Sequence, residues 1–159
     1  MYMKHYNKAF ICVMLSALSA FTLLPLPTLN ESIIPEGYIG KEEHFDKEGW
    51  QDFTDYCKYV YTDATAFETN LQFQTVTDSD TENIVGYFEN FQTWMETENR
   101  LGEYDFDTGC ITPGDYVHIE TKEGTPIGTS GSKYDKFDSY TVYFFDTDSN
   151  TLYYIHNNI

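Results

Sequence analysis

Eighteen consecutive residues without a charge, Ala9–Leu26, constrain this chain more than any other feature. As a helix such a run spans roughly 27 Å, close to the thickness of a bilayer's hydrocarbon core. Pro25 and Pro27 close it, because proline has no amide proton and clashes with the preceding turn. Lys4, His5 and Lys8 precede it, and a positive flank on that side places the N-terminus in the cytoplasm and the rest of the chain outside. Ala17-Leu18-Ser19 offers the small residues of a signal-peptide cleavage site. Cleavage there would leave Phe21–Leu26 on the mature end, so an uncleaved anchor accounts better for the whole run. A buried core helix is the weaker third reading, since the run has no polar face. Residues 1–29 therefore read as signal anchor or signal peptide. Residues 30–43 read as a linker carrying Pro35, Gly37 and Gly40, and residues 44–159 as a single domain.

That domain is acidic. The chain has 26 Asp and Glu against 9 Lys and Arg, a formal net charge of −17, and two of those bases lie before the apolar run. Such a surface repels phosphate backbones and anionic headgroups, which excludes nucleic acid and a domain lying flat on such lipids. It leaves basic proteins or ligands as candidate partners, beside the membrane reached through the N-terminal helix. An aromatic content of 18% argues for a packed core and against disorder.

Periodicity gives the elements. Trp50, Phe53, Cys57, Val60 and Tyr61 are spaced by three and four, predicting a first helix over 46–61 capped by Asp46. Leu71 and Phe73 alternate with Gln72 and Gln74, predicting a strand over 70–76. Asp78-Ser79-Asp80-Thr81 reads as a turn and cap for a second helix over 81–99, with Ile84, Phe88, Phe91 and Met95 on its apolar face. Tyr116–Thr121 alternates as a strand. Residues 139–145 and 151–156 read as a β-hairpin around the turn residues Asp146–Asn150. The resulting fold class is α+β, an antiparallel sheet covered on one face by two helices, after an N-terminal anchor helix.

The runs Tyr87–Met95, Tyr140–Asp146 and Leu152–Asn158 resemble segments of a group of small uncharacterised proteins from Gram-positive, Clostridium-like bacteria. The likeness covers roughly residues 44–159. It implies a membrane-anchored or exported bacterial protein and carries over no functional residue.

Several constellations bear on chemistry. Outside the cytoplasm Cys57 and Cys110 are candidates for a disulfide. Closing a loop of roughly fifty residues would contribute about 4 kcal/mol by chain entropy. Two separate buried thiols are the alternative. Asp146, Asp148 and Asn150 alternate like the start of a calcium loop, yet Thr151 and Asn157 stand where that loop needs Gly and Glu, so a hairpin turn is the better reading. Asp78, Asp80 and Glu82 suit the dipole of a helix start. His118 and His156 both fall on expected strands and would share a sheet. No serine elbow, phosphate loop, Cys-x-x-Cys or His-Glu-x-x-His pattern accompanies them, and no cofactor is implied. Asp105 and Asp107 form a carboxylate pair of a kind that so acidic a chain contains by composition. The expected function is a noncatalytic extracytoplasmic domain that binds a partner at the cell surface. The alternatives are a small extracellular hydrolase using His118 or His156 as base, and an anchored inhibitor or immunity-type protein.

Overall fold

The computed structural model describes Asn30 and residues 32–46, 53–121, 137 and 139–158. The anchor run, the first turns of the expected first helix and the Gly/Ser-rich 122–136 segment lie outside these residues. No helix among the described residues is long and apolar enough to cross a membrane.

Six antiparallel strands form one sheet: β1 (Gly40–His44), β2 (Phe53–Val60), β3 (Gln74–Thr75), β4 (Tyr116–Thr121), β5 (Ser139–Asp146) and β6 (Thr151–Asn158). Their order across the sheet is β1-β2-β6-β5-β4-β3. The class is α+β, as the sequence indicates, but the layers differ from expectation.

One long helix, α2 (Asp78–Thr97), covers the first face. Its Ile84, Phe88, Phe91 and Met95 are fully buried against Tyr56, Val117, Tyr140, Val142, Phe144 and Ile155 of the sheet. The helix starts one turn earlier than the periodicity indicates. Thr77 is the cap, and the Asp80 carboxylate accepts the Thr77 amide at 3.0 Å in a capping box. It ends in a Schellman arrangement. Asn99 takes a positive φ of 57°, its amide donates to the Glu96 carbonyl, and the Arg100 amide donates to the Met95 carbonyl at 2.7 Å.

Residues 53–60 of the expected first helix instead form the interior strand β2, paired to β1 on one side and β6 on the other. Thr54 through Cys57 and Tyr59 are all buried. A strand buried on both faces shows no polar period, so spacings of three and four arise in it by accident. The other helix, α1 (Thr65–Glu68), is a single turn on the opposite face, where Phe67 stacks on Phe145 at 3.8 Å between centroids. Among the described residues the two α-helices therefore lie on opposite faces and not together on one, and they are of very unequal length.

Two further differences concern β1 and β3. Gly40–His44, expected within the linker, forms the sheet's edge, where charge in place of an apolar alternation suits a solvent-facing strand. The strand expected over 70–76 shrinks to Gln74–Thr75, because Asn70 holds the first half in a turn. Its side chain accepts the Gln72 amide at 3.0 Å and its carbonyl accepts the Phe73 amide at 3.0 Å. Leu71 is consequently fully exposed, while Phe73 is buried.

The β5–β6 hairpin is tied to the loop before β4 by Asp115, an almost fully buried carboxylate. One oxygen accepts the Thr147 amide at 3.0 Å and hydroxyl at 2.8 Å. The other accepts the Thr112 amide at 2.8 Å and hydroxyl at 3.2 Å. Four donors on one buried carboxylate make it a fastener between two turns.

Candidate functional site

Strand register assigns the chemistry-bearing residues to the face away from α2. One row across that face reads Glu43, Cys57, Tyr154, Tyr143, His118, and the next reads Asp55, His156, Thr141, Glu120. The two histidines thus lie in one sheet, as expected, and the register puts them on the same face. They do not meet, because β5 with Tyr143 and Thr141 stands between them.

Cys57, His156 and Asp55 are neighbours on adjacent strands and have the residue types of a thiol nucleophile, a base and an orienting carboxylate. The distance from His156 Nδ1 to Asp55 Oδ2 is 3.7 Å, with 6% and 11% of their side chains exposed. Asp55 also accepts the Asp46 amide at 2.9 Å. The thiol is wrong for catalysis. Cys57 is fully buried, and burial pushes its pKa up to about 12, away from the thiolate that attack requires. His118 is likewise engaged. Its Nδ1 donates to the Gln72 carbonyl at 2.7 Å, fixing the loop before β3 to β4, and its ring lies between Phe73 and Tyr143.

Cys110 packs against the core under α2, on the other side of the sheet from Cys57. Both are free thiols. The candidate disulfide is therefore not formed: the sheet separates the two sulfurs. Burial pushes the Cys110 thiol up to about 12 as well, with Asp146 and Asp115 adding to it.

The other sequence candidates are occupied locally. Asp146 accepts the Asp148 amide at 2.9 Å and the Ser149 hydroxyl at 2.7 Å, while Asn150 takes a positive φ of 53° to close the turn. Asp105 receives the Tyr56 hydroxyl at 2.7 Å and the Lys58 ammonium at 2.7 Å. Asp107 caps the short turn Thr108–Cys110 by accepting the Gly109 amide at 2.9 Å. The two carboxylates thus serve different partners. Among the described residues no group of three or more His, Cys, Asp or Glu is placed to hold a metal ion.

The charged periphery carries a pattern that spacing did not reveal. Lys41 pairs with Glu43 at 2.9 Å. Lys58 pairs with Glu42 at 2.9 Å as well as with Asp105. Arg100 holds Glu103 at 2.8 Å and donates to the Thr54 carbonyl at 2.7 Å, while the Thr54 hydroxyl donates to Glu98. Each base among the described residues is thus already neutralised. On α2, by contrast, Asp78, Asp80, Glu82, Glu89 and Glu96 stand without a single Lys or Arg. Glu82, Glu89, Gln92, Thr93 and Glu96 form its exposed side. Two shallow clefts lie along β1. One, of about 200 Å³, is lined by Ile34, Glu36, Tyr38, Lys41, Glu43 and Tyr59. The other, of about 300 Å³, runs past Gly40, Lys58, Asp105 and Tyr153. Neither includes His118 or His156.

These features define an acidic α+β domain with one antiparallel sheet, an apolar face under a negatively charged helix, and a polar layer on the other face. No family model, no curated protein and no solved structure matches the chain.

Proposed function

We propose that this chain is a membrane-anchored, extracytoplasmic, noncatalytic domain that binds a basic partner through the outer side of α2. The observation that carries the reading is the separation of charge just described. Among the described residues Lys41, Lys58 and Arg100 are held in ion pairs with acids outside α2, whereas α2 carries exposed carboxylates and no Lys or Arg of its own. A negative field of this kind steers a cationic surface and sets its orientation. The buried Cys57 thiol and the structural engagement of His118 count against the hydrolase alternative, since neither presents a reactive atom to substrate. The uncharged run Ala9–Leu26 after Lys4 and Lys8 supports the anchor and the outward topology. The inhibitor or immunity-type reading is a special case of the same surface, in which the basic partner is an enzyme or toxin.

The test is capture from the native cell envelope with the full-length chain and with the triple variant Glu82→Lys, Glu89→Lys, Glu96→Lys. Capture of a basic protein that weakens steeply with added salt, and that the triple variant loses, supports the proposal. Capture indifferent to salt and to the variant contradicts it. So does turnover of a cell-wall substrate that disappears when His118 and His156 are both replaced by Ala.

A further inference from the structure

Strand β1 ends the sheet, and among the described residues no strand pairs with its outer edge. The opposite terminal strand, β3, is two residues long, so β1 is the edge with enough length to accept another strand. Edge strands usually discourage such pairing with charge. Among pairings centred on Lys41, Glu42 or Glu43, the charges favour one.

In an antiparallel pairing of two identical strands, the twofold axis passes between directly opposed residues, so one residue must face its own copy. Centred on Lys41, the pairing opposes two ammonium groups and sets Ile39 against Glu43. Centred on Glu43, it opposes two carboxylates and sets Lys41 against Phe45. Centred on Glu42, it opposes Lys41 to Glu43 of the second copy twice, Gly40 to His44 twice, and Ile39 to Phe45 twice. Ile39 is 69% exposed and Phe45 38% exposed, and they flank the strand at its two ends. The self-opposed Glu42 is held by Lys58 at 2.9 Å and by His44 at 2.8 Å, and the Lys41–Glu43 pair that closes within one strand at 2.9 Å would be exchanged for two such pairs across the axis.

We propose that β1 pairs with β1 of a second copy of this chain about a twofold axis at Glu42, joining two sheets into one. Two Lys41–Glu43 contacts fix the register and two Ile39–Phe45 contacts close the ends. This surface lies along the sheet edge and does not depend on the partner proposed for α2.

Register-specific crosslinking and a charge swap test it, both on the full-length chain in detergent micelles. Directly opposed residues of a ladder lie within disulfide reach. Mild oxidation of Glu42→Cys should therefore give a covalent dimer that the unsubstituted chain, with its native cysteines, does not. Lys41→Cys and Glu43→Cys should crosslink when mixed, and much less when each is alone. In sedimentation experiments Lys41→Glu and Glu43→Lys should each weaken dimerisation about tenfold, by turning two opposed attractions into repulsions. The double variant restores both contacts and should return dimerisation to near the original strength. Circular dichroism of each variant checks that the fold is kept. A monomeric unsubstituted chain, a dimer indifferent to the swaps, or equal crosslinking at positions 41, 42 and 43 would overturn the proposal.

Discussion

The two faces of the sheet are built on different principles. Beneath α2 the contact is made by Ile84, Phe88, Phe91 and Met95 on Val142, Phe144 and Ile155, with Tyr56 and Tyr140 bringing hydroxyls that find partners at Asp105 (2.7 Å) and Asn90 (2.9 Å). That face is specified by shape and burial, and many apolar combinations would satisfy it. On the other face, Phe67 and Phe145 make an apolar contact near α1, while Asp55, Cys57, Tyr143, Tyr154, His156 and His118 form a polar layer. Where directional contacts form there, from the Asp46 amide to Asp55 and from His118 to the Gln72 carbonyl, they admit fewer alternatives, because a buried polar group that loses its partner retains its full desolvation cost. The residue types associated with catalysis collect on that second face, where His118 and Asp55 bind main-chain groups and Cys57 is buried.

Substitutions can separate these regimes. Phe88→Ala should cost about 3–5 kcal/mol in denaturant unfolding, and Phe67→Ala a similar amount, since both rings are fully buried. A small loss for Phe67 would show that the second face lacks an apolar anchor. Arg100→Met should cost about 2 kcal/mol, because the guanidinium ties the end of α2 to the Thr54 carbonyl of β2. An unchanged midpoint would mean that α2 is placed by burial alone. His118→Phe keeps a ring between Phe73 and Tyr143 but removes the bond to the Gln72 carbonyl, so about 1 kcal/mol should be lost. Gain in stability would make the second face an ordinary apolar one.

The smallest expected effect is that of pH at the solvent-facing cluster. Burial raises the Asp105 carboxyl, but the Lys58 ammonium and the Tyr56 hydroxyl outweigh it and hold the group below its ordinary 3.8. Its contribution is present above the ordinary carboxylate range and is lost as pH falls through the depressed value. Burial lowers Lys58, but Asp105 and Glu42 outweigh that and raise it above 10.5, so its contribution is complete below 10.5 and lost as pH rises through the raised value. Lys58→Met should flatten both limbs of the stability profile. An unchanged acid limb would show that Asp105 is not held by Lys58.

What could be read in advance follows the same division. The α2 helix, β4 and the β5–β6 hairpin each have one face apolar and one polar, or turn residues at fixed places, and their types were legible. The strand β2 was not, because both of its sides are buried and the alternation of Tyr56 with Cys57 looks like a continuous apolar run. Nor was β1, whose Lys41-Glu42-Glu43-His44 has no apolar face at all. Spacing put His118 and His156 on strands of one sheet but gave no sign that they share a face or that Asp55 and Cys57 would join them, since that depends on strand register and on β2 being a strand next to β6. The Asp115 fastener was invisible because its four donors come from two turns distant in sequence.

The reactivity of Cys57 tests most directly whether the polar face is structural. Native protein is pulsed with an alkylating reagent, and labelling at each cysteine is read by mass spectrometry against a fully unfolded control. With the thiol fully buried and its pKa raised to about 12, Cys57 should react only as fast as the whole domain unfolds, and no Cys57–Cys110 disulfide should be found. Rapid alkylation of Cys57 in the native protein at neutral pH would mean that the face is open and the thiol activated, and the noncatalytic account would fail.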